Sequence, residues 1–374
     1  MKKTILYFLL LSLFFCATIF TGVAIDFSDE ETLKNDIQDE LLSIIDDDVI
    51  DVLEELGFDN LDFDSIYNFS LDNITEFFSV TLKSKIKCCF KIFFEILSAV
   101  ILTSVVTIIL KDVVQDDMIT ILSVIIITLL CVNTVSASLS AVISVLSLSG
   151  KFMMSYVPIY TLIISLSGNT ASALTYNTFV LGFAEFISTV ITTCATDFMG
   201  VFFCLSITFS LNSNINTGRF FSAVNKFVSI VLGLSASMFT GFLSLKSIMS
   251  ASVDSISIKS IRFLISSLIP VVGSSISEAY STLLGSINLI KSSVAFVGIL
   301  VIIIINIPVI LETLAYYISF SILGYLADTV SATKTGDILR GFSCGIRILL
   351  LLTVFEMFIL IVSTGILLSV KNGG

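Results

Sequence analysis

The residues able to do chemistry in this chain are few and lie in apolar surroundings. Beyond residue 76, all five glutamates (Glu95, Glu185, Glu278, Glu312 and Glu356) fall within apolar segments or at their edges. A charge at mid-membrane costs about 3 kcal/mol on insertion scales, so such a group is paired, protonated or facing water. Asn306 and Glu312 flank Pro308 in IIIINIPVILETLAYY. A second such stretch, RFLISSLIPVVGSSISEAYSTLLG at 262–285, carries Pro270, Gly273, Ser277, Glu278, Ser281 and Gly285. Proline removes a backbone donor and kinks or breaks a helix. Broken helices bearing polar groups are how transporters and channels build sites near the midplane. The plainer reading puts these glutamates at the interface, capping helices.

Enzyme chemistry is narrower still. The chain has no histidine. That excludes Ser–His and Cys–His pairs and zinc sites of the HExxH type. Neither a Gly-x-Gly-Asp motif nor a GxxxxGK[ST] phosphate loop is present. The seven cysteines are an odd set with no metal-ligand spacing, and they read as small apolar fillers. No catalytic residue, no metal and no cofactor is assigned, and the chain is not read as an enzyme.

Small residues recur every fourth position in three rows: Ser229, Gly233, Ser237 and Gly241; Gly273, Ser277, Ser281 and Gly285; and Ser136, Ser140 and Ser144. One face of a helix then carries each row, letting two backbones approach. A passage lined by hydroxyls is the competing reading, since serine serves both.

The elements that must position these residues follow from composition. Of 374 residues, 56% are hydrophobic and 13% charged, against about 25% charged in a soluble domain. The net charge of −11 divides unevenly, with residues 26–76 carrying −17. An acidic segment and a mildly basic membrane body result. Clustered bases for phosphate contacts are missing from the acidic part, so nucleic acid is not an expected partner.

MKKTILYFLLLSLFFCATIFTGVA at 1–24 has the secretory signal pattern, with a cut expected after Ala24. Residues 25–80 are expected as an acidic, extracytoplasmic helical domain. Ser28 and Glu31 have capping-box spacing, and Leu33, Ile37, Leu41 and Ile44 follow at helical spacing. Lys83, Lys87 and Lys91 then share one helix face, with Lys85 nearby. That suits an interfacial segment, 81–91, with ammonium groups at lipid phosphates. An outside position for this stripe runs against the positive-inside tendency, so orientation stays open.

Residues 92–371 are expected as a multi-pass domain of about seven crossings, each needing about 20 residues. Candidate spans are 92–110, 118–138, 152–167, 174–194, 198–211, 227–245, 294–311, 313–327 and 346–369, with 139–150 and 263–290 re-entrant or interfacial. The fold class is therefore all-α, a polytopic membrane helix bundle with broken or re-entrant helices.

Some of these runs also carry a resemblance. Lys259-Ser260-Ile261-Arg262-Phe263, the run from Ser266 through Pro270 to Gly273, Glu278, and Leu284-Gly285-Ser286 resemble the stage III sporulation protein AE family. So do Val157-Pro158-Ile159-Tyr160, Leu166-Ser167-Gly168 and Val297-Gly298-Ile299-Leu300 before Pro308. The resemblance covers about residues 90–370. It implies a role in endospore formation, in a mother-cell membrane complex likened to a secretion channel that joins a forespore partner. Other membrane subunits, ring-forming subunits and the lipid bilayer would be its partners. It supplies no catalytic residues. The alternative is a stand-alone secondary transporter, with Glu278, Asn306 and Glu312 as its coupling or substrate groups.

Overall fold

The computed structural model describes residues 71–110, 116–186, 192–211, 217–268, 273–330 and 332–368. The expected signal segment, most of the acidic domain and Pro270 lie outside the described residues. Seven helices make up the described chain: α1 (Leu71–Leu110), α2 (Asp116–Leu166), α3 (Thr170–Phe186), α4 (Thr192–Leu211), α5 (Thr217–Leu268), α6 (Gly273–Thr329) and α7 (Thr333–Leu368). The described residues contain no strand. The protein is an all-α membrane helix bundle.

Five of these helices contain stretches long and apolar enough to cross a membrane: Ser79–Ile109, Met118–Leu166, Thr217–Leu264, Leu284–Thr329 and Thr333–Ile366. They are fewer and longer than the spans expected from hydropathy. Residues 139–150, expected to be re-entrant or interfacial, are the middle of α2, and Pro158 lies inside that same helix. Likewise 294–311 and 313–327 are one helix, with Pro308 inside α6. The expected break at Pro308 is not formed. Isolated prolines in membrane helices are accommodated when neighbouring helices surround them, and the residues around Pro308 are largely buried. Residues 81–91, expected as an interfacial segment, are part of the continuous helix α1 and lead into its apolar stretch.

Hydroxyls are reconciled with the apolar setting by bonding back onto their own helices. Thr103 donates to Ala99 O, Ser123 to Ile119 O, Ser206 to Phe202 O and Thr313 to Val309 O, at 2.7–2.9 Å. Each such bond returns a polar group to the backbone, so a serine-rich run stays helical without water. Where α2 ends, Gly168 takes φ 83°, the left-handed turn that glycine enters at least cost. Asn169 then opens α3, its carbonyl accepting from Ala173 N at 2.9 Å.

The main core is built from the second half of α2, from α3, and from the central parts of α6 and α7, around Tyr156, Tyr160, Val294, Val301, Leu349 and Leu360. A second core joins α1, the first half of α2 and the α6–α7 hairpin around Ile127, Phe320, Leu339 and Phe342. Helix α6 contributes to both.

Candidate functional site

Three groups of side chains tie α6 to its neighbours, and a fourth joins α5 to α3; each is set by helical spacing. Near the middle of α1, Lys85 and Cys88 share a face with Cys89 one step round. Glu312 and Tyr316 face them from α6. Lys85 Nζ donates to Glu312 Oε2 at 2.6 Å, and Cys88 Sγ lies 3.8 Å from the Tyr316 hydroxyl. Both ionic partners are half-buried. The expected coupling carboxylate is thus one half of an ion pair between helices. Its partner, Lys85, stands off the face of the lysine stripe, whose members Lys83, Lys87 and Lys91 are exposed.

One and a half turns earlier on α6, Asn306 is fully buried. Its Nδ2 donates to Ser149 Oγ on α2 at 3.0 Å and to Ile302 O at 2.9 Å. The amide oxygen has no partner. Three turns further back, the Tyr156 hydroxyl donates to Val294 O at 3.2 Å. Its ring stacks on Tyr160, which meets Tyr176 edge-on. That ring needs a glycine opposite. A Cβ on Gly298 would fall 2.5 Å from the Tyr156 hydroxyl oxygen.

The fourth group surrounds the start of α3. Asp254 of α5 is buried and accepts from Ala171 N at 2.8 Å and Ser172 N at 2.9 Å. The carboxylate therefore sits on the free amides and positive dipole end of α3. Beside it, Ser250 Oγ and Thr175 Oγ1 share a hydrogen bond at 2.6 Å. Lys291 of α6 is buried close enough to feel the Asp254 charge. Desolvating an acid and a base together is affordable only when each has partners, and here the helix terminus supplies part of the acid's.

The sequence-nominated residues are therefore separated rather than gathered. Glu278 is exposed, near the start of α6. Glu312 lies 34 positions later on the same unbroken helix, which at 1.5 Å per residue is about 51 Å. Glu278 cannot share a site with Asn306 and Glu312. Gly273 is the first residue of α6 and Ser277 lies in its first turns. Ser281 is half-buried and Gly285 is exposed.

Among the described residues, the small-residue rows lie mostly on outward faces of the single chain. A Cβ on Gly233, Gly241 or Gly285 would meet nothing within 4 Å. Ser237, Ser136, Ser140 and Ser144 are exposed, and Ser229 is half-buried. Close approach is made by other glycines. On α7, a Cβ at Gly341 would lie 2.8 Å from Phe221 Cζ, and one at Gly345 would lie 2.7 Å from Phe203 Cζ. Gly324 and Gly336 bring α6 and α7 together beside Arg340, which pairs with Asp328 and, at 2.7 Å, with Asp337. A spacing of four was the right signal, but periodicity does not say which row faces protein. Asp254 and Lys291 are legible in the sequence as charges within apolar runs, the same signal that marks the glutamates.

Glu356 is buried in α7, and its Oε2 has no hydrogen-bond partner. Among the described residues, no three His, Cys, Asp or Glu side chains form a group able to hold a metal ion. The chemistry on offer is ion pairing, helix capping and close helix packing.

A family model described as stage III sporulation protein AE matches residues 51–370, which takes in all seven helices. No curated protein and no solved structure matches the chain.

Proposed function

The chain belongs to the stage III sporulation protein AE family, and from that premise we propose that it is a non-enzymatic, structural membrane component of a sporulation complex linking mother cell and forespore. It resides in the mother-cell membrane facing the forespore and serves late forespore development as part of a channel- or secretion-like assembly. Its partners are other membrane and ring-forming subunits. The observation that carries this reading is how α6 spends its polar groups. Glu312 is taken by Lys85 and Asn306 by Ser149. These two contacts join α6 to α1 and to α2, as a framework requires. A stand-alone transporter needs convergent groups, and Glu278 is about 51 Å along the helix from Glu312.

Clean deletion in a spore-forming host tests the role. Engulfment should proceed while late forespore gene expression fails. Normal spores would refute it. The purified chain in liposomes should move neither ions nor small solutes by itself. Crosslinking from residues 25–90 and 259–312 should reach other subunits of the complex.

A further inference from the structure

Where α1 ends, α2 begins and α6 turns into α7, the described residues enclose a cavity of about 110 Å³. One water needs about 10–15 Å³, so a larger group fits with its hydration. The wall is polar although four apolar spans meet there. Ser104 and Thr107 come from α1, Thr120 and Ser123 from α2, and Lys334 and Thr335 from α7. The apolar stretches end at Ile109 and Thr329 and begin at Met118 and Thr333. The cavity therefore lies where spanning helices leave the hydrocarbon and meet the headgroup region.

Two groups in this wall have no partner among the described residues. Thr335 is only 2% exposed, yet its hydroxyl makes no hydrogen bond there. The half-buried Lys334 ammonium forms no ion pair. A buried hydroxyl left unbonded is costly, and a cation beside it calls for an anion. Both residues follow directly on the first residue of α7. The first amides of a helix have no intrahelical acceptor, and its dipole is positive at that end. Cation, amides and dipole all favour a bound anion. The nearby acids are otherwise engaged. Asp328 and Asp337 are both held by Arg340. Asp328 stands against Gly336, and Gly336 and Arg340 are about 100–160° round the helix from Lys334 and Thr335. Asp116 and Asp117 belong to the first turn of α2 and offset that helix's own positive end. On the opposite wall, Ser104 and Ser123 donate to their own helices at 2.8 and 2.9 Å, which leaves their lone pairs to accept from a ligand's hydroxyls.

We propose that this cavity binds a phosphate group, from an anionic lipid headgroup or from free phosphate. Lys334, Thr335 and the first amides of α7 take the phosphate oxygens. The site is independent of the sporulation role, and its test leaves that reading untouched.

Thermal unfolding of the full chain, delipidated in non-ionic detergent, tests it. The probes are short-chain phosphatidylglycerol and inorganic phosphate, with sodium chloride at the same ionic strength as reference. At least one probe should raise the midpoint along a saturating curve. A rise with phosphatidylglycerol alone marks a lipid headgroup as the source, and a rise with inorganic phosphate marks a free one. Lys334→Gln should weaken the binding about tenfold, Thr335→Val should weaken it too, and Lys334→Arg should keep most of it. Without a probe, Lys334→Gln should unfold as the unaltered chain does, because Lys334 has no partner to lose. Lys87→Gln, which removes an exposed lysine of α1, should leave the binding unchanged. A midpoint that neither probe moves overturns the proposal. So does a rise that Lys334→Gln and Thr335→Val both retain in full, which would mark general surface charge rather than this cavity.

Discussion

Lys85 and Glu312 are 227 positions apart in sequence, yet Lys85 Nζ lies 2.6 Å from Glu312 Oε2. The pair fastens α1, the helix that follows the acidic segment, to α6, which contributes to both main cores. Removing either partner leaves a half-buried charge without its counter-ion. Glu312→Gln and Lys85→Met should each destabilise the detergent-solubilised protein by about 1–3 kcal/mol. That is less than the 3–5 of fully buried pairs, because water reaches both groups in part. Thermal unfolding followed by circular dichroism reads this. The double variant should recover part of the loss, and strictly additive losses would show that the pair is not coupled.

Asp254 should matter more. Asp254→Ala removes the acceptor for Ala171 N and Ser172 N. It also strips buried Lys291 of a nearby opposite charge. A loss of about 2–4 kcal/mol is expected from two charge-assisted bonds and an exposed helix start. Hydrogen exchange should quicken first at residues 170–173. Protection there that matches the unaltered chain would count against the cap.

Glycines separate into two classes. Gly298→Ala places a methyl group against the Tyr156 ring, and overpacking of that kind costs about 1–3 kcal/mol. Gly345→Ala should behave alike against Phe203. Gly233→Ala and Gly241→Ala should leave the single chain's stability unchanged or slightly raised, since alanine favours the helix by up to about 1 kcal/mol. Unfolding midpoints of the four variants give the comparison. Equal losses in all four would contradict the packing described.

Much of this architecture was legible in the sequence. Composition and hydropathy gave an all-α membrane bundle, and the family resemblance rested on residues 259–286. One feature differs for a physical reason: the sequence around Pro308 suggests a break, but a proline surrounded by other helices stays within a continuous α6. The rows at Ser229–Gly241 and Gly273–Gly285 read equally as packing faces or passage linings. A four-residue repeat fixes which residues share a face but not what that face meets. Long-range partners were the least legible. Nothing in KSKIKCC or VILETLAYY announces that Lys85 will find Glu312, because that pairing depends on how α1 and α6 are docked.

Asn306→Leu is a further check on α6 as a framework. The variant loses the bond to Ser149 but also removes an amide oxygen that has no partner. The two effects oppose, so the net change should stay within about 1.5 kcal/mol. Asn306→Asp, which puts a carboxylate where the donor stood, should be far worse. Yield of folded protein from membranes distinguishes them. An Asp variant as stable as the original would point to water at this position.

The most direct measurement is a charge swap in the living sporulating cell. Lys85→Glu and Glu312→Lys are each made alone and then together, and a late forespore reporter and heat-resistant spores are counted. If the pair is a tie between helices, the single variants should fall and the swap should recover most of the original output. A swap that remains as defective as Glu312→Lys, with the protein present at normal levels in the membrane, would mean that the carboxylate at 312 acts on something other than Lys85. The framework reading would then be wrong.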